Sequence, residues 1–169
     1  MSSLNPNLDT CPVPLEQRPL NEYERLRERP GFAWSTQSEQ QYLQRLSIIT
    51  FFCLGVCLLI SIASTPTSGS LEMLTISLYS IAGTITLLML LYVRVYLGWQ
   101  YVYDRLMRST VPYEESGWYD GQIWVKSPEA LVQDRLTGTY QLKPILDRLK
   151  VSMGVLMSLQ IGIISWIFS

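Results

Sequence analysis

LEMLTISLYSIAGTITLLMLLYV (Leu71–Val93) carries a single charge, Glu72, at its entrance. A hydrocarbon core of about 30 Å takes roughly 20 apolar residues as a helix, so the stretch reads as a membrane span. The continuation decides more. LYVRVYLGWQYVYDRLMRS (Leu91–Ser109) has no Pro or Asn-Gly to stop the helix, so the span is expected to project beyond the membrane. At about 100° per residue, Tyr92, Tyr96, Trp99 and Tyr103 share a narrow stripe, with Val95, Leu106 and Met107 beside it. Arg94, Arg105 and Arg108 gather on the opposite side. An aromatic face on a projecting helix has to be covered, either by the chain's own loop or by a partner. Gly98 weighs against the helix by about 1 kcal/mol relative to Ala.

Two further apolar runs flank this one. Leu46–Ala63 holds no charge, and Val151–Phe168 closes the chain. Ser64–Ser70 (STPTSGS) reads as a tight turn. The fold expected is mostly α, with three transmembrane helices. All 13 Lys and Arg lie before Leu46 or between Arg94 and Lys150. By the positive-inside rule the N-terminal segment and the long loop face the cytoplasm, or the stroma of a plastid, and the C terminus is lumenal.

The loop between spans two and three has room for a small hairpin and a short helix. Val111–Tyr113 and Gln122–Val125 read as strands around Ser116–Gly121, whose glycines and Asp120 supply turn chemistry. Ser127, Pro128 and Glu129 form a helix start, with Leu131, Val132 and Leu136 expected inward. Gly138 should end that helix and Pro144 open the last one. At the other end of the chain, Pro12, Pro14 and Pro19 should keep Cys11–Leu20 extended. Asn21 with Glu24, and Thr36 with Glu39, look like capping boxes. Pro30 and Gly31 should end the first short helix. The division expected is an arm over 1–35, two spans with the projecting helix over 36–109, a loop over 110–143, and the last helix over 144–169.

Chemistry is sparse. The sequence has no His, which removes the commonest general base and transition-metal ligand. The near balance of 13 basic and 14 acidic residues gives no field to steer nucleic acid. Cys53 and Cys57, four apart in an apolar run, read as small packing residues, and no disulfide framework follows. The span interiors lack ionisable groups, which argues against a transporter. They carry small residues at intervals of four instead: Cys53, Cys57, Ser61; Ser80, Thr84; Gly154, Ser158, Gly162. Such stripes let backbones approach closely, within the bundle or against a foreign helix. Gln160, an amide within the last span, could bond across helices or contact a chlorophyll magnesium through its carbonyl oxygen. Glu115, Asp120 and Asp134 could meet around a divalent metal, yet salt bridges to the nearby arginines explain them more simply. No P-loop, dinucleotide turn or nucleophile elbow is present, so no catalytic or metal residue is expected.

The partner-binding candidates are therefore surface groups. In the loop they are Glu114, Glu115, Trp118, Tyr119, Asp120 and Trp124, tryptophans of the kind enriched at interface hot spots within an acidic rim. At least one of Trp118 and Trp124 is expected on the end of the second span, the other partly exposed. Tyr96, Trp99 and Tyr103 are the candidates on the projecting helix, and Cys11, Glu16 and Tyr23 those on the arm.

CPVPLEQRPLNEY (Cys11–Tyr23) and VPYEESGWYDGQIWVKSPEALVQDRLTGTYQLKPILDRL (Val111–Leu149) resemble the plastid and cyanobacterial membrane family called "conserved in the green lineage and diatoms". The resemblance covers the arm, all three spans and the loop. It implies a thylakoid protein of an oxygenic phototroph, associated with building or acclimating the photosynthetic apparatus, and it carries over no catalytic residue. The expected function is a non-enzymatic assembly or acclimation factor. Its partners would be photosystem or chlorophyll-binding membrane subunits and membrane lipid, with no nucleic acid and no obligatory cofactor. The alternatives are a pigment- or lipid-binding protein holding chlorophyll or carotenoid, and a membrane enzyme with an acidic metal site.

Overall fold

The computed structural model describes residues 12–64, 70–114 and 121–167, with backbone alone at 70–72 and 114. Three helices, within Glu39–Ser64, Met73–Met107 and Pro128–Ile167, are long and apolar enough to cross a membrane.

The N-terminal segment is more folded than its prolines suggest. Leu15–Gln17 forms a 3-10 turn, and helix α1 (Pro19–Glu28) starts at Pro19, whose fixed φ suits the first helical position. The Asn21–Glu24 capping box is not used, because the helix has already begun; the Asn21 amide instead donates to the Leu15 carbonyl at 2.7 Å. Arg29 is extended before Pro30, which ends α1 as expected and also opens the single turn α2 (Pro30–Ala33). Thr36 does not cap the next helix, which begins only at Glu39; its hydroxyl donates to the Ala33 carbonyl at 2.9 Å. Helix α3 (Glu39–Ser64) follows.

Helix α4 (Ser70–Met107) passes unbroken through Gly98. Strand β1 (Thr110–Glu114) pairs antiparallel with β2 (Gly121–Val125), Thr110 opposite Val125 and Glu114 opposite Gly121. The turn residues 115–120 between them, and residues 65–69 of the expected turn after α3, lie outside the described residues.

Helix α5 (Pro128–Thr137) has Ser127 as its cap, the hydroxyl oxygen accepting from the Ala130 N–H at 3.3 Å. Its inner face differs from the expected one. Val132 and Leu136 are exposed, Leu131 is half-buried, and Asp134 is the buried position. Nor does Gly138 end the helix. It has right-handed helical angles and leads through a π-helical turn (Gly138–Leu142) into α6 (Lys143–Ile167). Close approach explains the glycine: a Cβ there would stand 3.0 Å from Met107 Cε. Pro144 has no N–H to donate, and the widened turn ahead of it absorbs that gap without a break.

The chain forms two compact units. One gathers Met1–Arg29 with Gln100–Pro144, the other Pro30–Trp99 with Ile145–Ser169.

Candidate functional site

In the unit of Pro30–Trp99 with Ile145–Ser169, the aromatic stripe of α4 is covered by the segment just before α3. Trp99 is fully buried; its indole N–H donates to Ser35 Oγ at 2.8 Å, and that hydroxyl donates to the Phe32 carbonyl at 2.6 Å. The Phe32 ring meets Trp99 edge-on at 6.1 Å, the geometry ring quadrupoles favour. Gly98 makes this contact feasible, because a Cβ there would lie 2.5 Å from Phe32 Cε1. The residue that weakens the helix locally is thus the notch that admits its cover. Trp34 stacks on Tyr42 at 5.4 Å and meets the edge of Tyr92 at 5.6 Å. Arg94 lies over Phe32, Arg148 over Tyr42 and Lys150 over Tyr96, each within cation–π range.

Beneath this cluster one hydroxyl group from each long helix meets. Tyr42 Oη of α3 contacts Tyr92 Oη of α4 at 2.6 Å and Ser152 Oγ of α6 at 3.2 Å. Further along, the small residues of α4 face inward. Ser80 and Thr84 are buried, their hydroxyls donating back to Ile76 and Ser80 carbonyls at 2.7 Å, and a Cβ at Gly83 would lie 3.2 Å from Cys57 Sγ. The small residues of α6 do not. A Cβ at Gly154 or Gly162 would meet nothing within 4 Å, and Ser158 between them is exposed. Gln160 bonds across helices through its amide nitrogen, which donates to Thr86 Oγ1 at 3.3 Å. Its carbonyl oxygen is buried without a hydrogen-bond partner among the described residues.

The unit of Met1–Arg29 with Gln100–Pro144 is held by polar ties. Arg105, on the side of α4 expected to lie opposite the aromatic stripe, is largely enclosed: it pairs with Glu22 and donates to the Gln17 carbonyl at 3.0 Å. Burial pushes the Glu22 carboxyl up, with Arg105 and then Arg25 pulling the other way. Lys126, buried, pairs with Asp134 and donates to the last carbonyls of α4, at Arg105 (2.9 Å) and Leu106 (3.2 Å). An ammonium belongs there, where the unsatisfied carbonyls of a helix end concentrate negative potential. Among the described residues no three Cys, Asp or Glu side chains gather as metal ligands. Asp134, the described member of the proposed acidic trio, is committed to Lys126.

The candidates fare unequally. Tyr23 is buried, its hydroxyl donating to Gln141 Oε1 at 3.0 Å, whereas Glu16 is exposed beside Arg25. Trp124 is half-buried against Val13, Val111 and Tyr113. Tyr96 and Tyr103 are half-buried, Trp99 wholly so. Cys11, Glu115, Trp118, Tyr119 and Asp120 lie outside the described residues, as does the Glu114 side chain. Phe32, Trp34, Ser35 and Arg148 were missed. The signal for the first three was an aromatic-rich segment directly before a span, in register with nothing until α4 is folded back on it.

No solved structure matches the chain. The ycf36 protein of Cyanophora paradoxa is 45% identical over 145 residues, covering 86% of this chain and 90% of that one. That of Porphyra purpurea is 44% identical, covering 86% and 87%. The Arabidopsis thaliana protein "conserved in the green lineage and diatoms 27, chloroplastic" is 44% identical, covering 83% of this chain and 43% of that longer one. The model of the CGLD27-like family, "conserved in the green lineage and diatoms 27", matches residues 11–155. With that span matched and relatives of this similarity, the chain belongs to the CGLD27-like family.

Proposed function

We propose that this chain is a non-enzymatic thylakoid protein that docks against another membrane helix while photosynthetic pigment-protein complexes are assembled or acclimated. The observation that carries this reading is the open stripe Gly154–Ser158–Gly162 on α6. Lipid tails are as apolar as leucine, so helix association in a bilayer relies on close backbone approach, which small residues permit. Within this chain α4 uses its small residues for that purpose, and α6 leaves its own free. None of the apolar window of the last span is buried inside the chain. The chloroplast address in the name of the Arabidopsis relative supports the compartment. In this reading the two polar segments that hold all the Lys and Arg face the stroma and the C terminus the lumen, so a Ser68→Cys variant reacts with a thiol reagent only once it reaches the lumen. Labelling from the stromal face refutes that orientation.

The docking test is affinity purification from thylakoids of the wild type and of a Gly154→Leu, Gly162→Leu double variant. Equal accumulation in the membrane with loss of co-purifying chlorophyll-binding subunits supports docking. Unchanged co-purification refutes it. Gln160 favours a second reading, since its buried, unpartnered carbonyl oxygen is the kind of group that ligates a pigment magnesium. Absorbance of the purified chain, lost in Gln160→Leu, distinguishes pigment binding from docking.

A further inference from the structure

Between α3, α4 and α6 runs a groove of about 510 Å³, and Leu46, Leu54, Ile85, Leu88, Val155 and Leu156 form much of its wall. Its size falls in the range of sites for small ligands, about 300–1,000 Å³. The walls belong to the apolar windows of three spanning helices, so hydrocarbon rather than water fills the groove.

Its two ends differ. Tyr92 and Ser152 line it, and both are hydrogen-bonded to Tyr42, so a cluster of three hydroxyl groups stands at one end. Arg148 lies over the Tyr42 ring at 5.2 Å. It is half-buried, and the one hydrogen bond it makes among the described residues runs to the Gln37 carbonyl at 3.3 Å. A guanidinium carries several N–H donors in a planar fork suited to phosphate-like oxyanions, so most of its capacity is unused. The helix segments at this end carry Arg45, Arg94, Arg148 and Lys150 against Glu39 and Asp147. Cations exceed acids there by two.

We infer that the groove is a site for one anionic glycerolipid, an acyl chain lying between the helices and the headgroup held by Arg148. Tail and headgroup requirements are met at adjoining places: an apolar trough inside the span, and in a net positive field the Arg148 fork, packed on Tyr42, whose partners Tyr92 and Ser152 line the trough. A neutral lipid satisfies the first only. The site uses Val151, Ser152, Val155, Leu156 and Leu159 of α6, a face that adjoins the Gly154–Ser158–Gly162 stripe without including it, so it stands independently of the docking reading.

The test is lipid quantification by mass spectrometry on the full chain, purified in mild detergent and exchanged into fresh detergent. Wild type retains anionic glycerolipid in preference to neutral lipid. Arg148→Gln lowers its retention roughly fivefold, the effect of one cation beside an anionic lipid surface. Arg148→Lys keeps the charge and retains most of it, while Arg45→Gln, at an exposed position, changes little. Leu156→Trp fills the trough and removes lipid of every headgroup. If that variant does not accumulate, the contrast between Arg148→Gln and Arg148→Lys decides alone. Equal retention in Arg148→Gln and wild type overturns the inference. So does recovery of only neutral lipid, of pigment, or of a second copy of the chain in place of lipid.

Discussion

Two helices of this protein carry small residues at the same spacing and use them oppositely. On α4, Ser80 and Thr84 are buried, and a Cβ at Gly83 would stand 3.2 Å from Cys57 Sγ of α3, tighter than an ordinary contact. On α6, where Gly154, Ser158 and Gly162 recur every four residues, a Cβ at either glycine would meet nothing within 4 Å among the described residues, and Ser158 is exposed. Spacing identifies a surface fit for close packing and is silent on what packs there. The first stripe is an internal joint, and its substitutions are paid in stability. On the docking reading proposed above, the second is the surface on which substitutions should be read in partners.

The largest effect expected is on the inward side of α4, at the end of that joint. Trp99→Ala empties a fully buried aromatic site that also anchors Ser35, at a cost of about 3–5 kcal/mol. Thermal unfolding in detergent and protease resistance of the segment before α3 measure it, and a wild-type profile would mean that this face is not packed. Gly83→Leu comes next. Overpacking against Cys57 should cost about 1–3 kcal/mol and lower the melting temperature accordingly. If it is tolerated, the contrast between the two stripes fails.

Gly98→Ala sharpens the comparison, because its sign separates helix propensity from packing. In an isolated helix the change gains about 1 kcal/mol. Here the added methyl group would sit 2.5 Å from the Phe32 ring, so net destabilisation is expected. A more stable variant would show that Phe32 can move aside freely. The smallest effect belongs to Gly154→Leu, which should leave stability within about 0.5 kcal/mol, as for a surface substitution away from special features. Unfolding in that variant would mean that α6 is covered within its own chain.

Apolar length made three helices long enough to cross a membrane legible in the sequence, and the absence of a breaker did the same for the continuation of α4 to Met107. Both depend on residues close together along the chain. What covers the α4 stripe was not legible. Phe32 and Ser35 lie more than sixty positions from Trp99, and no local pattern pairs them. Gly98 was misread for the same reason: propensity registers its local cost, whereas its use is a notch for a remote ring. The Asn21 capping box failed because Pro19, two residues earlier, had already started the helix, and the Thr36 one because α3 begins only at Glu39. Gly138 looked like a helix stop because small size for close approach and freedom of backbone angles call for the same residue. On the functional side, sequence pointed to aromatic and acidic loop residues, several of which lie outside the described residues. The open stripe on α6 needed three-dimensional neighbours, since only they separate a used surface from a free one.

The hydroxyl cluster of Tyr42, Tyr92 and Ser152 bears on the order in which the protein is made. Synthesis delivers these groups one helix at a time, and the last comes only when α6 has been made. Until then the Tyr42–Tyr92 pair, if already formed, has unused hydrogen-bonding capacity beside hydrocarbon, where an unsatisfied polar group is costly. A nascent chain stopped after its second span would therefore hold a loosely joined helix pair rather than two-thirds of a finished protein. The third helix supplies the last hydroxyl of the cluster, and the three-way contact forms only once α6 is in place.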